Sequence, residues 1–267
     1  MTPLATRLRD AATSLSTLQA LLDAKPRALP TQVLKSFQDI TDWRADLLLW
    51  CDAVEARDGA EAMLAGLENR VDDRGRVLIG GAEMSFAAAR LLGTQAWVSM
   101  QWALTDRVTD FVGRVVCVDP DKKDNKGQSF GAKMVAEFLI DGKSAPLLQH
   151  AQLRHCFGWP VAIAYALRNH ITHDAGVRSG SGFFASNEPS APFEVSARGM
   201  ADIEGRAKGY RVESSHTRLA QPWPWGQADA RVLLSTCHGE LDEALGLLLV
   251  GSLRSFEGHV GFLLGEL

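Results

Sequence analysis

With 267 residues, of which 46% are hydrophobic and 22% charged, the chain is long enough to bury a substantial core and has the make-up of an ordinary folded domain. A formal net charge of −4 argues against broad, sequence-independent nucleic-acid binding, so any such site must be a local basic patch on an acidic background. The apolar runs are too short to cross a bilayer, and Arg7, Arg9 and Asp10 are foreign to a signal peptide. The four cysteines, Cys51, Cys117, Cys156 and Cys237, form no C-x-x-C pair, which sets aside a zinc ribbon or disulfide framework. A cytoplasmic protein without membrane partners is the expectation.

Leu4, Leu8, Ala11, Leu15, Leu18 and Leu22 recur at spacings of three and four, which predicts an amphipathic helix ended by Pro26 and Pro30. Thr31 is placed to cap a second helix, whose apolar positions Leu34, Phe37, Ile40, Leu47, Leu48, Cys51 and Val54 reach about residue 57. Gly59 is expected to punctuate, ahead of a short helix over 61–70 and a turn at Asp72-Asp73-Arg74-Gly75. A long helix is predicted from about 82 to 118, with Phe86, Leu91, Ala96, Trp97, Met100, Leu104, Val108, Phe111, Val112 and Val115 on its apolar face. The charged run 119–127 reads as a solvated loop, and two shorter helices follow near 130–140 and 144–157. Next comes a helix from about 158 to 173, with Pro160 tolerated in its first turn. Residues 175–228 are rich in Gly, Ser and Pro and read as an insertion or flap, with a short strand near 193–197 and a helix near 199–208 at most. A final helix over 229–264 carries Leu233, Leu234, Leu241, Leu245, Leu248, Leu249, Leu253 and Phe256.

These elements predict one all-α domain over 1–267, an antiparallel helical bundle. Its parts are N-terminal helices over 1–72, a bundle formed by 82–174 with 229–264, and the long insertion 175–228 before the C-terminal helix.

Chemistry concentrates in Ala166-Leu167-Arg168-Asn169-His170-Ile171-Thr172-His173-Asp174, which ends the apolar run 159–165. The Arg-x4-His spacing recurs at Arg211…His216 and Arg254…His259, so spacing alone carries little. Only Arg168…His173 adds an Asn directly after the Arg and an apolar helix before it. A guanidinium is a permanent cation that grips phosphate oxygens in two-pronged fashion, and an imidazole exchanges protons near neutrality. Asn169 and His173, four apart, share a helical face; Arg168 and His173, five apart, lie about 140° from one another on an ideal helix. A two-fold dimer that joins two motifs at one composite site reconciles that offset. Asp106, beside Arg107 and Asp110 on the long helix, is a further candidate for positioning Arg168 or His173, with a solvated helix face as its competing reading.

Arg168-Asn169-x-x-x-His173 at the end of a bundle helix resembles the R-N-x-x-x-H motif of the HEPN superfamily. The resemblance implies a dimeric, metal-independent endoribonuclease with no cofactor, whose 2′-OH attack leaves a 2′,3′-cyclic phosphate. Arg168 would hold the scissile phosphate, His173 would transfer protons and Asn169 would orient them. It further implies RNA as substrate, a toxin or anti-phage defence setting, and a cognate inhibitor or antitoxin. Three other readings stand beside it. The motif is also what a helix C-terminus needs, with Arg168 and His173 against the dipole and Gly176 at C′. His170 and His173, three apart with Asp174 beyond, have the spacing of metal ligands, although no complete signature is present. Last, the chain is readable as a non-catalytic helical module that binds a nucleotide or protein, with Arg168 as an anion anchor. Trp223 and Trp225 fit either base stacking or a packed loop.

Overall fold

The computed structural model describes residues 3–24, 40–116, 166–170, 183–184, 194–212, 238–239, 241–243, 245–254 and 257–258. These are overwhelmingly helical, in keeping with the all-α reading; strand is confined to two short antiparallel pairs. No helix among the described residues is long and apolar enough to cross a membrane.

The first helix, α1 (Pro3–Ala24), opens on a proline whose missing N–H costs nothing in a first turn. Leu4, Leu8, Ala11, Leu15, Leu18 and Leu22 are all buried, as their spacing requires. The second helix, α2 (Ile40–Gly66), departs from expectation because it runs straight through Gly59 and ends in a 3-10 turn at Leu67–Arg70. One interior glycine costs only about 1 kcal/mol relative to alanine, and Ala56, Ala60, Ala62, Met63, Leu64 and Ala65 around it all favour helix. Thr31, Leu34 and Phe37 lie outside the described residues.

A second correction concerns the start of the long helix. Residues 82–85 are not helical: β1 (Arg76–Ile79) pairs antiparallel with β2 (Ala82–Ser85), Val77 facing Met84 and Ile79 facing Ala82. The turn between them is Gly80-Gly81, with φ of 57° and 85°. Positive φ at both central positions is what a two-residue hairpin needs to match the strand twist. The turn expected at 72–75 is present, with Gly75 at φ 70° and Asp72 Oδ1 accepting from the Arg74 and Arg76 amides at 2.9 and 2.8 Å. Then α3 (Phe86–Val116) begins, its first turn capped by the Ser85 hydroxyl, which accepts from the Ala88 amide at 3.2 Å.

The chain divides into two compact units. The first comprises Met1–Glu55, Leu104–Gly158 and Leu241–Leu267, the second Ala56–Ala103 and Trp159–Glu240. In the first, the Cys51 thiol donates to the Ala5 carbonyl at 3.5 Å and Arg9 Nη2 meets Glu55 Oε1 at 2.8 Å. These contacts advance in the same sense along both helices, so α1 and α2 run parallel. By contrast, in the second unit the segment from Arg57 to Glu68 and α3 are antiparallel, Arg57 meeting Gln101 and Glu68 meeting Arg90, as the bundle reading expects. Trp43 and Trp50 grip Phe111 edge-to-face, at centroid distances of 5.7 and 6.1 Å. Leu241, Leu245, Leu248, Leu249 and Leu253 of the C-terminal helical residues are buried, and Arg7 Nη1 donates to the Glu243 carbonyl at 3.3 Å. Leu233, Leu234 and Phe256 lie outside the described residues, as do the loop and helices expected over 119–157.

In the second unit Leu67, Val77, Phe86 and Ala89 form a core, with Leu64, Val71, Ile79 and Met84 packed around it. Within the expected insertion, β3 (Phe183–Phe184) pairs with β4 (Glu194–Val195), and α4 (Ala197–Val212) follows. Ser196 caps α4 by accepting from the Gly199 amide at 2.9 Å. The short strand and helix expected there are therefore present, with α4 longer at both ends.

Phe111 is 2% exposed and pinned by two indoles. Phe111→Ala is expected to cost about 3–5 kcal/mol in urea unfolding, and Phe111→Leu distinctly less. Burial pushes the Cys51 thiol up, against a smaller lowering by Arg9. Cys51 should therefore resist alkylation in the native protein and react once it is unfolded, as peptide mapping would show.

Candidate functional site

The motif is described over 166–170. Ala166 and Leu167 are buried, which seats this turn in the second unit. Arg168 is half-buried and Asn169 is 7% exposed. Arg168 Nη1 donates to Asn169 Oδ1 at 2.7 Å, a short bond for an amide acceptor and one that holds the guanidinium in place. At His170 the helix passes into a π turn. A π turn closes hydrogen bonds between residues five apart, and such turns concentrate at functional sites.

His170 is fully buried, with Nδ1 2.9 Å from Asp202 Oδ2 on α4. Arg206 Nε donates to the same oxygen at 2.8 Å. The imidazole is thereby engaged as a tie between the motif and α4, which competes with the metal-ligand reading of His170. Burial alone would push the Asp202 carboxyl up. Hydrogen bonds from Arg206 and His170, with the charge of both, outweigh it and hold the carboxyl below the ordinary carboxylate value.

Among the expected site residues, Arg168 and Asn169 are brought together, while His173 lies outside the described residues. Asp106 and Arg107 are both exposed on α3, and Asp106 belongs to the first unit. Trp223 and Trp225, with Asp174 and Gly176, are also outside the described residues.

A second polar cluster went unnoticed in the sequence. Arg57 is fully buried; its Nε and Nη2 donate to Asp58 Oδ1 at 3.0 and 2.7 Å, and its Nη1 to Gln101 Oε1 at 2.6 Å. His238 Nδ1 lies 2.7 Å from Glu61 Oε2, and its Nε2 lies 3.6 Å from Asp58 Oδ1. The only sequence signal was Asp58 and Glu61 three apart on one helix, which is common on solvated faces.

No family model matches this chain, and neither a curated protein nor a solved structure matches it. Its function has to be read from its own residues.

Because the folded-state value of Asp202 is depressed, its stabilising contribution is complete above the ordinary carboxylate range and is lost as pH falls through that depressed value. The melting temperature of the wild type should therefore exceed that of Asp202→Asn at neutral pH, with the gap closing in acid. Parallel curves would remove Asp202 from the motif's support.

Proposed function

We propose that the chain is a metal-independent endoribonuclease of the HEPN type, acting as a homodimer on RNA. The observation that carries this reading is the Arg168–Asn169 hydrogen bond at 2.7 Å, in which a buried amide aims a half-buried guanidinium. This is the orienting role that the resemblance gives Asn169. One of the five guanidinium donors is used in this bond, and a phosphate needs two. The π turn at His170 adds support, since such turns concentrate at functional sites.

In the proposed reaction the 2′-OH attacks the adjacent phosphorus and the P–O5′ bond breaks. The 2′ proton leaves to a base and the 5′ oxygen takes a proton, with His173 serving in this exchange. Arg168 neutralises the charge that builds on the phosphate oxygens, a task that calls for a fixed cation rather than a metal. A toxin or anti-phage setting with a cognate inhibitor belongs to the same proposal.

The net charge of −4 favours a second reading, a non-catalytic module that anchors a nucleotide on Arg168. RNA cleavage in EDTA separates the two. Arg168→Ala is expected to slow cleavage about 10²–10³-fold and His173→Ala about 10²–10⁴-fold. Asn169→Ala removes a charge-assisted bond of about 1.5–3 kcal/mol and should cost about 10–100-fold. Equal cleavage by all four proteins would overturn the proposal. No cleavage by the wild type, with nucleotide still bound, would favour the module.

A further inference from the structure

Asp58, Glu61 and His238 present one potential ligand atom each, all within 4.8 Å of one another, inside the second unit. Each distance has a different chemical meaning. The 2.7 Å between His238 Nδ1 and Glu61 Oε2 is a hydrogen bond, with Nδ1–H donating to the carboxylate. In the neutral imidazole this tautomer puts the lone pair on Nε2, the nitrogen on the Asp58 side. The 3.6 Å from Nε2 to Asp58 Oδ1 is too long for a hydrogen bond. It brings the Nε2 lone pair up to the Asp58 carboxylate without a hydrogen bond between them, the approach that an ion held by both residues needs.

Asp58 supplies an independent observation. Its Oδ1 accepts both donors from Arg57, whereas its Oδ2 is buried and has no hydrogen-bond partner among the described residues. A carboxylate oxygen out of water with its lone pairs unused is costly unless something occupies the site.

From these distances we propose that Asp58 and His238 bind a divalent ion of the zinc class, with Glu61 as the carboxylate that fixes the imidazole and water completing the shell. Carboxylate–histidine–metal is the usual second-layer arrangement at such sites. Hard oxygen-seeking cations such as Ca²⁺ and Mg²⁺ gain nothing from an imidazole, which favours an ion of the zinc class. His238 and Asp58 are 13% and 22% exposed in their side chains and Glu61 is 39%, so the ion would enter from the Glu61 side. The ion would join α2 to residue 238.

The test is calorimetric titration of EDTA-treated, desalted wild-type protein with Zn²⁺ and Co²⁺ at pH 8, followed by Asp58→Asn, His238→Gln and Glu61→Gln. One saturable equivalent is expected. It should be lost in the first two variants and weakened about 10–100-fold in the third. Trp97 lies 5.5 Å from the His238 ring, so bound Co²⁺ should quench its fluorescence. Trp97→Phe should keep the binding and lose most of the quenching, a readout that does not depend on the ligand variants folding. Three results would overturn the site: no saturable binding by the wild type, undiminished quenching in Trp97→Phe, or Mg²⁺ binding as tightly as Zn²⁺.

Discussion

The burial of the Arg57 guanidinium is the constraint around which the second unit is arranged. Taking a charge out of water costs several kcal/mol unless counter-charge and hydrogen bonds are supplied in place. Asp58 provides the charge and Gln101 a further acceptor, so α2 and α3 are locked together at this level. Adjacent residues on a helix do not face one another, so the Arg57 side chain must fold back to reach Asp58. That in turn fixes which Asp58 oxygen is used and leaves the other turned away from Arg57. The same device appears in the motif, where Arg168 folds back onto Asn169. One guanidinium is fully buried; the other is half-buried and still within reach of solvent.

Much of the helical framework was legible because long apolar periodicities survive local accidents. The face of α1 was readable from Leu4 to Leu22, and the buried leucines from Leu241 to Leu253 were readable for the same reason. Gly59 misled because a single glycine is a weak helix breaker when good helix formers flank it. The hairpin was missed because its strands span four residues each, too few for alternation to stand out beside a strong helical pattern. Its real signal was the Gly80-Gly81 pair, which needs positive φ at both positions. The parallel course of α1 and α2 could not be read at all, since helix direction depends on what the connection does and not on either helix's own periodicity.

The candidate site divides along the same line. Arg168 and Asn169 were legible because they are neighbours in sequence as well as in space. Asp202 was not, because its partner His170 lies on another element and an i,i+4 Asp202–Arg206 pair looks like any surface ion pair. His238 was invisible for a stronger reason: nothing near it in sequence hints at Glu61 or Asp58. Locally encoded geometry is readable, whereas geometry assembled by packing has to be observed.

The central claim is that a positioned guanidinium and an imidazole cut RNA through its own 2′-OH. Chemical identification of the ends produced from a defined RNA in EDTA tests this most directly. A 2′,3′-cyclic phosphate on one fragment and a 5′-hydroxyl on the other is the expected result. Fragments ending in a 3′-hydroxyl and a 5′-phosphate, the products of attack by water in place of the 2′-OH, would contradict it.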